Sequence, residues 1–281
     1  MSASWRVLPL TVLPARQLLA RAEAVLAGLR PGAAPTLGWS RVAPDALVLG
    51  RAAGSPPVDW DACAAAGVEV VRRSSGGGPV LWDGDLLALD VWVPRGHRLA
   101  PVDVVQAYRW LGAAVAEGLS DLGVPARLVS IGEARRAAPP ESAADAAAAA
   151  ACFGSLSPFE VVADGRKVAG LAQVRRRTGA LFQAGVPLRF AAGRLAGLLD
   201  TRGAEPADVA AALERRAAGL DRFLGAVDPG RVMEAVGRRL AAVAGAGWRP
   251  GDLDPAEREL AGRLAAERFV PLVKEAADSA A

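Results

Sequence analysis

Three consecutive glycines, Gly76 to Gly78, separate two stretches that both read as β-strands. Before them, Val68-Glu69-Val70-Val71-Arg72-Arg73 carries the β-branched run of a strand. After them come Val80-Leu81-Trp82-Asp83 and the apolar stretch Leu86 to Val93. The loop Ser74-Ser75-Gly76-Gly77-Gly78-Pro79 therefore joins strand to strand. It has no terminal Gly-Lys-Ser/Thr and opens no helix, which excludes a Walker loop and a dinucleotide fingerprint. Glycine lets a backbone approach a ligand closely and aim amides at an anion. The flanking Arg72, Arg73, Ser74 and Ser75 favour that use over a solvated hairpin.

Around this loop the pattern alternates between strand and helix. Residues 13–29 place apolar groups at helical spacing, Thr36 to Gly50 reads as two short strands around Pro44-Asp45, and Asp59 to Ala66 reads as a short capped helix. The spacing predicts an amphipathic helix over Val102 to Leu122 and a strand over Arg127 to Ile131. Asp164-Gly165 between Phe159–Ala163 and Arg166–Val174 is a hairpin signal, with Leu181 to Leu188 as the next strand. Beyond residue 190 the spacing is helical, in 204–223, 229–243 and 255–276. The expected organisation is a sheet-rich body, 1–190, with a helical C-terminal segment, 191–281, packed on it. Residues 134–151 are mostly alanine, with Pro139-Pro140 and no large apolar group, and are expected to form a mobile surface segment.

Composition narrows the chemistry. The chain has 281 residues, is 52% hydrophobic, and contains no uncharged apolar run of the ~18 residues that a membrane span requires. The opening Met1-Ser2-Ala3-Ser4-Trp5-Arg6 lacks the regions of a signal peptide, so the expectation is a cytoplasmic protein with no membrane partner. A net charge of +3 demands no nucleic acid. Cys63 and Cys152 cannot build a disulfide framework, and the single histidine, His97, cannot support a His-rich metal site or a Ser-His-Asp triad. What remains is chemistry by Lys, Cys, Arg, carboxylates and backbone amides.

All but two of the 33 basic residues are arginine, and one of the two lysines, Lys167, sits on a strand directly after the Asp164-Gly165 turn. An ammonium is a compact charge that can bridge two oxygens or raise the thiolate fraction of a nearby cysteine. Gly170 would let a ligand lie on bare backbone, and strand alternation from Lys167 places Ala169, Leu171 and Gln173 on its face. Cys152, before Phe153-Gly154, suits a thiol at a pocket mouth as well as a small buried hydrophobe. Cys63 fits the buried role and His97 a solvated turn. Asp83, Asp85, Asp90 and Glu133 are scattered without the spacing of a metal or acid/base pair.

Two blocks carry a family resemblance. Arg72-Arg73-Ser74-Ser75-Gly76-Gly77-Gly78-Pro79-Val80-Leu81-Trp82-Asp83 resembles the Arg-Arg-x-Ser/Thr-Gly-Gly-x-Ala-Val-x-His-Asp loop of the lipoate-protein ligase and octanoyltransferase superfamily. Gly165-Arg166-Lys167-Val168-Ala169-Gly170-Leu171-Ala172-Gln173 resembles its Gly-Arg-Lys-x-x-Gly-Ser-Ala-Gln strand. The likeness runs from Leu37 to about Leu188 and includes Val48-Leu49-Gly50-Arg51. It implies the α/β catalytic fold shared with biotin protein ligase, a mixed β-sheet flanked by helices, here with a helical C-terminal tail. Ala151-Cys152-Phe153 ahead of Ser157-Pro158-Phe159-Glu160 is similar to the cysteine-dependent octanoyltransferases and lipoyl amidotransferases. The separate C-terminal domain of many ligases is not expected.

The resemblance implies catalysis by Cys152 and Lys167. Cys152 would take an octanoyl or lipoyl group from an acyl carrier protein or a lipoylated donor protein and pass it to the lysine of a lipoyl-domain acceptor. Lys167 would hold the acyl carbonyl and favour the thiolate. Arg72, Arg73, Ser75, Gly76, Gly77, Gly78, Val80, Gly170, Leu171, Ala172 and Gln173 would bind the acyl group. This route needs no metal and no cofactor. An ATP-dependent ligase using Mg²⁺, or an acyl binder without turnover, are the alternatives. Trp82 where the family has His, Ala88 or Leu89 where ligases carry Asn, and Ala184 where a Gln-His-Gly histidine is common are the departures.

Overall fold

The computed structural model describes residues 4–51, 57–136 and 139–274. In chain order the elements are β1 (Trp5–Leu13), α1 (Ala15–Gly28), β2 (Thr36–Val42), β3 (Ala46–Leu49), α2 (Trp60–Ala65), β4 (Glu69–Arg72), β5 (Val80–Trp82), β6 (Leu86–Pro94), α3 (Arg109–Ser120), β7 (Ala126–Leu128), α4 (Ile131–Arg135) and α5 (Ala143–Ala150). They continue with β8 (Val161–Ala163), β9 (Arg166–Arg176), β10 (Gly179–Pro187), α6 (Ala192–Ala196), α7 (Pro206–Arg216), α8 (Asp221–Leu224), α9 (Pro229–Ala244), β11 (Trp248–Pro250) and α10 (Pro255–Glu267).

Eight strands form a mixed sheet in the order β11-β1-β2-β6-β10-β9-β8-β7, and β4-β3-β5 form a second, small sheet. The strand pattern over 36–50 thus divides between the two sheets. The large sheet is covered on one face by α3 and α9, whose Leu111, Val115, Val232, Val236 and Leu240 pack on Leu89, Val91 and Phe182. On its other face α1 covers Leu8, Trp92, Val174 and Leu181. The same helix reaches the small sheet through Ala15, Leu18 and Leu19, which share a core with Val48 and Val71. One amphipathic helix therefore locks the two sheets at a fixed distance, and the remaining gap between them is where the site lies.

Several expectations are corrected. The alanine-rich run is helical from Ala143, capped by Ser142, whose side chain accepts the Asp145 N–H. Ala147 and Ala148 are buried in one core with Val209 and Leu213 of α7. Methyl groups let α5 approach closely, and close packing rather than large apolar groups fixes the segment. Residues 137 and 138 of that run lie outside the described residues, as do Met1 to Ala3 and residues 275–276 of the last predicted helix, which ends at Glu267. The helix over 102–122 begins only at Arg109, preceded by a 3₁₀ turn at Gln106–Tyr108. Asp103 Oδ1 accepts the N–H groups of Val105 (2.8 Å) and Gln106 (3.0 Å), so the local turn wins over periodicity and Val102 stays exposed. Ile131 opens α4 behind the Ser130 cap instead of ending a strand. The N-terminal β1 and the edge strand β11 had no sequence signal strong enough to be assigned.

Candidate active site

The glycine loop starts from topology. Strands β4 and β5 flank β3 on opposite sides, so the connection 73–79 must cross over the end of β3. Gly50, the residue after β3, lies directly beneath it, and a Cβ there would overlap the Gly77 carbonyl oxygen. A Cβ on Gly78 would overlap the Ala150 carbonyl at the end of α5. These close approaches require glycine, and Gly77 also adopts φ +96°.

Arg73 is the internal strut of this loop. Its guanidinium donates to Val48 O (3.1 Å), Gly76 O (2.7 Å) and Gly78 O (3.1 Å), and it is 7% exposed. With the carbonyls turned onto Arg73, the amides of Gly76, Gly77 and Gly78 have no acceptor within the protein among the described residues. Burial draws the Arg73 pKa below the ordinary guanidinium range, and the nearby Cys152 sulfur pulls it back up. A Cβ built on Gly77 would sit 2.9 Å from Arg73 Nη2 and 3.6 Å from Cys152 Sγ, so loop, guanidinium and thiol converge on one point.

Cys152 opens a 3₁₀ turn, Cys152–Gly154, immediately after α5. Its N–H donates to Pro79 O (3.0 Å), which ties the turn to the glycine loop. Lys167 holds the turn from below. Its ammonium meets Glu160 Oε1 at 2.6 Å and donates to Cys152 O (2.8 Å) and Ser155 O (3.1 Å). Lys167 is 1% exposed and Glu160 2%. Glu160 also accepts from Ser157 N (2.7 Å) and Leu171 N (3.2 Å). All three ammonium donors are thus committed. The expected contact of Lys167 with an acyl carbonyl has no free donor in this arrangement, and the cation beside the sulfur is Arg73.

The alternation expected along β9 also fails, for a local reason. Val162 pairs with Lys167, but Val161 pairs with Ala169, so Val168 is an extra residue in β9. This β-bulge reverses the parity of the strand. Lys167 consequently shares a face with Gly170, where an added Cβ would lie 3.2 Å from Lys167 Cε. Gln173 falls on the opposite face and donates to Val104 O (2.6 Å), away from the pocket.

A single pocket gathers most of the candidates. Its walls include Arg73, Ser75, Val80, Cys152, Gly170, Leu171 and Ala172. Arg72, Gly76, Gly77, Gly78, Lys167 and Gln173 lie outside the lining, with Arg72 donating to Gly50 O (3.0 Å). Sequence reasoning missed Glu160, Asp90 and Gln183, and each had the same signal, a lone polar group in an apolar strand-like run. Asp90 and Gln183 face one another across β6 and β10, with Gln183 Nε2 donating to Asp90 Oδ1 at 2.8 Å. Desolvation raises the Asp90 carboxyl to about 6. Trp82 forms part of the pocket wall. Cys63 is buried and its thiol is pushed up to about 11 by desolvation. Among the described residues there is no cluster of His, Cys, Asp and Glu able to hold a metal ion, and no helix is long and apolar enough to cross a membrane.

The glycine loop, the Arg73 guanidinium and the Cys152 thiol thus meet at one largely apolar pocket of an α/β fold, with the buried Lys167 beneath the Cys152 backbone. The chain belongs to the family described as the lipoyl protein ligase A/B catalytic domain, which matches residues 14–241. Among curated relatives, the octanoyltransferase LipM of Exiguobacterium sp. is 34% identical over 158 residues, 55% of this chain and 54% of the relative. That of Symbiobacterium thermophilum is 31% identical over 207 residues, 69% of this chain and 71% of the relative. The matches to the first two relatives span 54% and 60% of their lengths. The fold matches a bipartite lipoate protein ligase from Thermoplasma acidophilum, solved in a study of that enzyme and its E2 lipoyl domain. The TM-score is 0.77 at 22% identity, covering 98% of this chain and 96% of that one. It also matches lipoate-protein ligase A bound with ATP, with a TM-score of 0.73 at 22% identity over 94% of both chains.

Proposed function

We propose that this chain transfers an octanoyl or lipoyl group to a lysine of a lipoyl domain through an acyl-enzyme on Cys152. The observation that carries the reading is the convergence of the glycine loop, the Arg73 guanidinium and the Cys152 sulfur on one point of the pocket. The Cys152 sulfur, as thiolate, is the nucleophile. The thiolate attacks the acyl carbonyl, which is a thioester on an acyl carrier protein or a lysine amide on a lipoylated donor; the new C–S bond forms, and the donor thiolate, or the donor lysine amine with a proton taken up, leaves. The acceptor lysine amine then attacks the Cys152 thioester, the amide forms, and the cysteine thiolate is released with loss of the amine proton. Free amides of Gly76 to Gly78 are available to the tetrahedral oxyanion. Lys167 and Glu160 act as positioning residues that hold the Cys152 carbonyl and turn. The route uses neither ATP nor a metal.

Intact-protein mass spectrometry with octanoyl carrier protein, without ATP, tests this. The expected result is a gain of one octanoyl group that disappears in Cys152→Ala. An undiminished transfer rate in Cys152→Ser refutes the covalent route. Lipoate-dependent turnover that requires ATP and persists in Cys152→Ala would identify a ligase.

A further inference from the structure

The register of the large sheet divides the pocket floor into rows. Ala88, Gly185 and Gly170 pair side by side across β6, β10 and β9, and this small-residue row lies under Lys167. One two-residue step further, about 7 Å by strand rise, the next row is Gly38, Asp90, Gln183 and Ala172. The row beyond is Trp92, Leu181 and Val174, sealed by α1. The pocket therefore runs along bare floor from the thiol and ends in a polar row backed by a wall.

That polar end is underused by the protein itself. Asp90 accepts through Oδ1 from Gln183, while Oδ2 has no protein donor among the described residues. Gln183 Oε1 has only a 3.5 Å contact with the Ser75 hydroxyl. The remaining exposure of Asp90 is to the pocket that it lines. The charged group facing it from the helix layer is Arg21 of α1, whose Nη2 lies 3.4 Å from a Cβ built on Gly38. A saturated chain end would strip water from this carboxylate without replacing its hydrogen bond, whereas an O–H or N–H would supply the missing donor.

From this juxtaposition we infer that Asp90, with Gln183, selects medium-length acyl groups that carry a hydrogen-bond donor, a hydroxyl or an amide N–H, on their distal carbons. The inference rests on the acyl-transfer reading and goes beyond its substrate, since octanoyl and lipoyl groups carry no such donor and would load less readily. In competition between octanoyl and 8-hydroxyoctanoyl carrier thioesters, the hydroxylated group is expected on Cys152 by roughly tenfold or more, since a site built to bond a polar group rejects the analogue lacking it. Asp90→Leu should remove or reverse the preference while adduct still forms. Equal loading by the unsubstituted chain, or a ratio unchanged in Asp90→Leu, overturns the inference. Calorimetric binding of free octanoate and 8-hydroxyoctanoate to the Cys152→Ala chain measures the same preference without turnover. A lost adduct with retained selection would sink the transfer reading alone, and adduct without selection would sink only the inference.

Discussion

Replacing Glu160 by Gln removes the anion from an ammonium that is 1% exposed and leaves it only neutral oxygens, among them the carbonyls of Cys152 and Ser155. Breaking one partner of a buried ion pair costs about 3–5 kcal/mol, because the surviving charge stays buried. The two neutral carbonyls and the Phe153 ring, 5.3 Å from Nζ, soften the loss, so the lower end, about 3 kcal/mol, is expected. At roughly 2–4 °C per kcal/mol for a chain of this size, Tm falls by about 6–12 °C. Lys167→Met alone should cost a similar amount, since Glu160 keeps two amide donors but loses its cation. The double variant Glu160→Gln/Lys167→Met should recover part of the loss, giving a favourable coupling energy of at least about 1 kcal/mol in a double-mutant cycle. Urea denaturation followed by tryptophan fluorescence measures all four chains. Single variants within about 0.5 kcal/mol of the parent, or strictly additive losses, would refute the claim that this pair organises the Cys152 turn.

Gly50→Ala places a methyl on the Gly77 carbonyl and should cost about 1–3 kcal/mol while slowing acylation, whereas Gly76→Ala, with open space around it, should stay within about 0.5 kcal/mol; denaturant melts and adduct formation rates compare them. Because folding raises the Asp90 carboxyl to about 6, the native state holds more protons than the unfolded chain between its ordinary value and that point. Its contribution therefore falls as pH rises through that window, and Asp90→Asn should gain on the order of 1–3 kcal/mol over the parent at pH 7–8 and nothing near pH 3; stability measured across pH reads the difference. Cys63, buried and with its thiol raised to about 11, should resist alkylation at pH 8 while Cys152 reacts. Peptide mapping showing equal labelling of the native protein would contradict that assignment.

The legible part of this molecule was whatever depended on local chemistry. The Asp164-Gly165 turn forms with both residues at positive φ, 47° and 75°, and the glycine loop does join strand to strand. The pairing of Lys167 with Glu160 was not legible, because it depends on one extra residue in a long strand. Period-two reasoning from Lys167 puts Gln173 on its face and Gly170 behind it, and the bulge at Val168 exchanges them. Nothing in the composition of Val168 announces a bulge. The Asp90–Gln183 contact was equally hidden, since it needs the register between β6 and β10, although each residue alone interrupts an apolar run. Alanine misled for a different reason: it carries too little hydrophobic surface to announce a core, yet its small size is what seats α5 beneath the glycine loop.

The charge around the sulfur connects these features. Of the two cations near Cys152, Lys167 is neutralised at 2.6 Å by Glu160, so its field at the thiol is largely cancelled. Arg73 hydrogen-bonds neutral carbonyls, and its facing ionisable partner is the sulfur itself. A guanidinium remains charged even when burial lowers its pKa, so the uncompensated positive charge at the pocket mouth belongs to Arg73. The loop whose Gly77 and Gly78 must be glycine and the Cys152 sulfur thus meet at the same side chain. Division of labour follows: the buried ion pair fixes where the thiol stands, and the arginine of the glycine loop fixes what charge it faces.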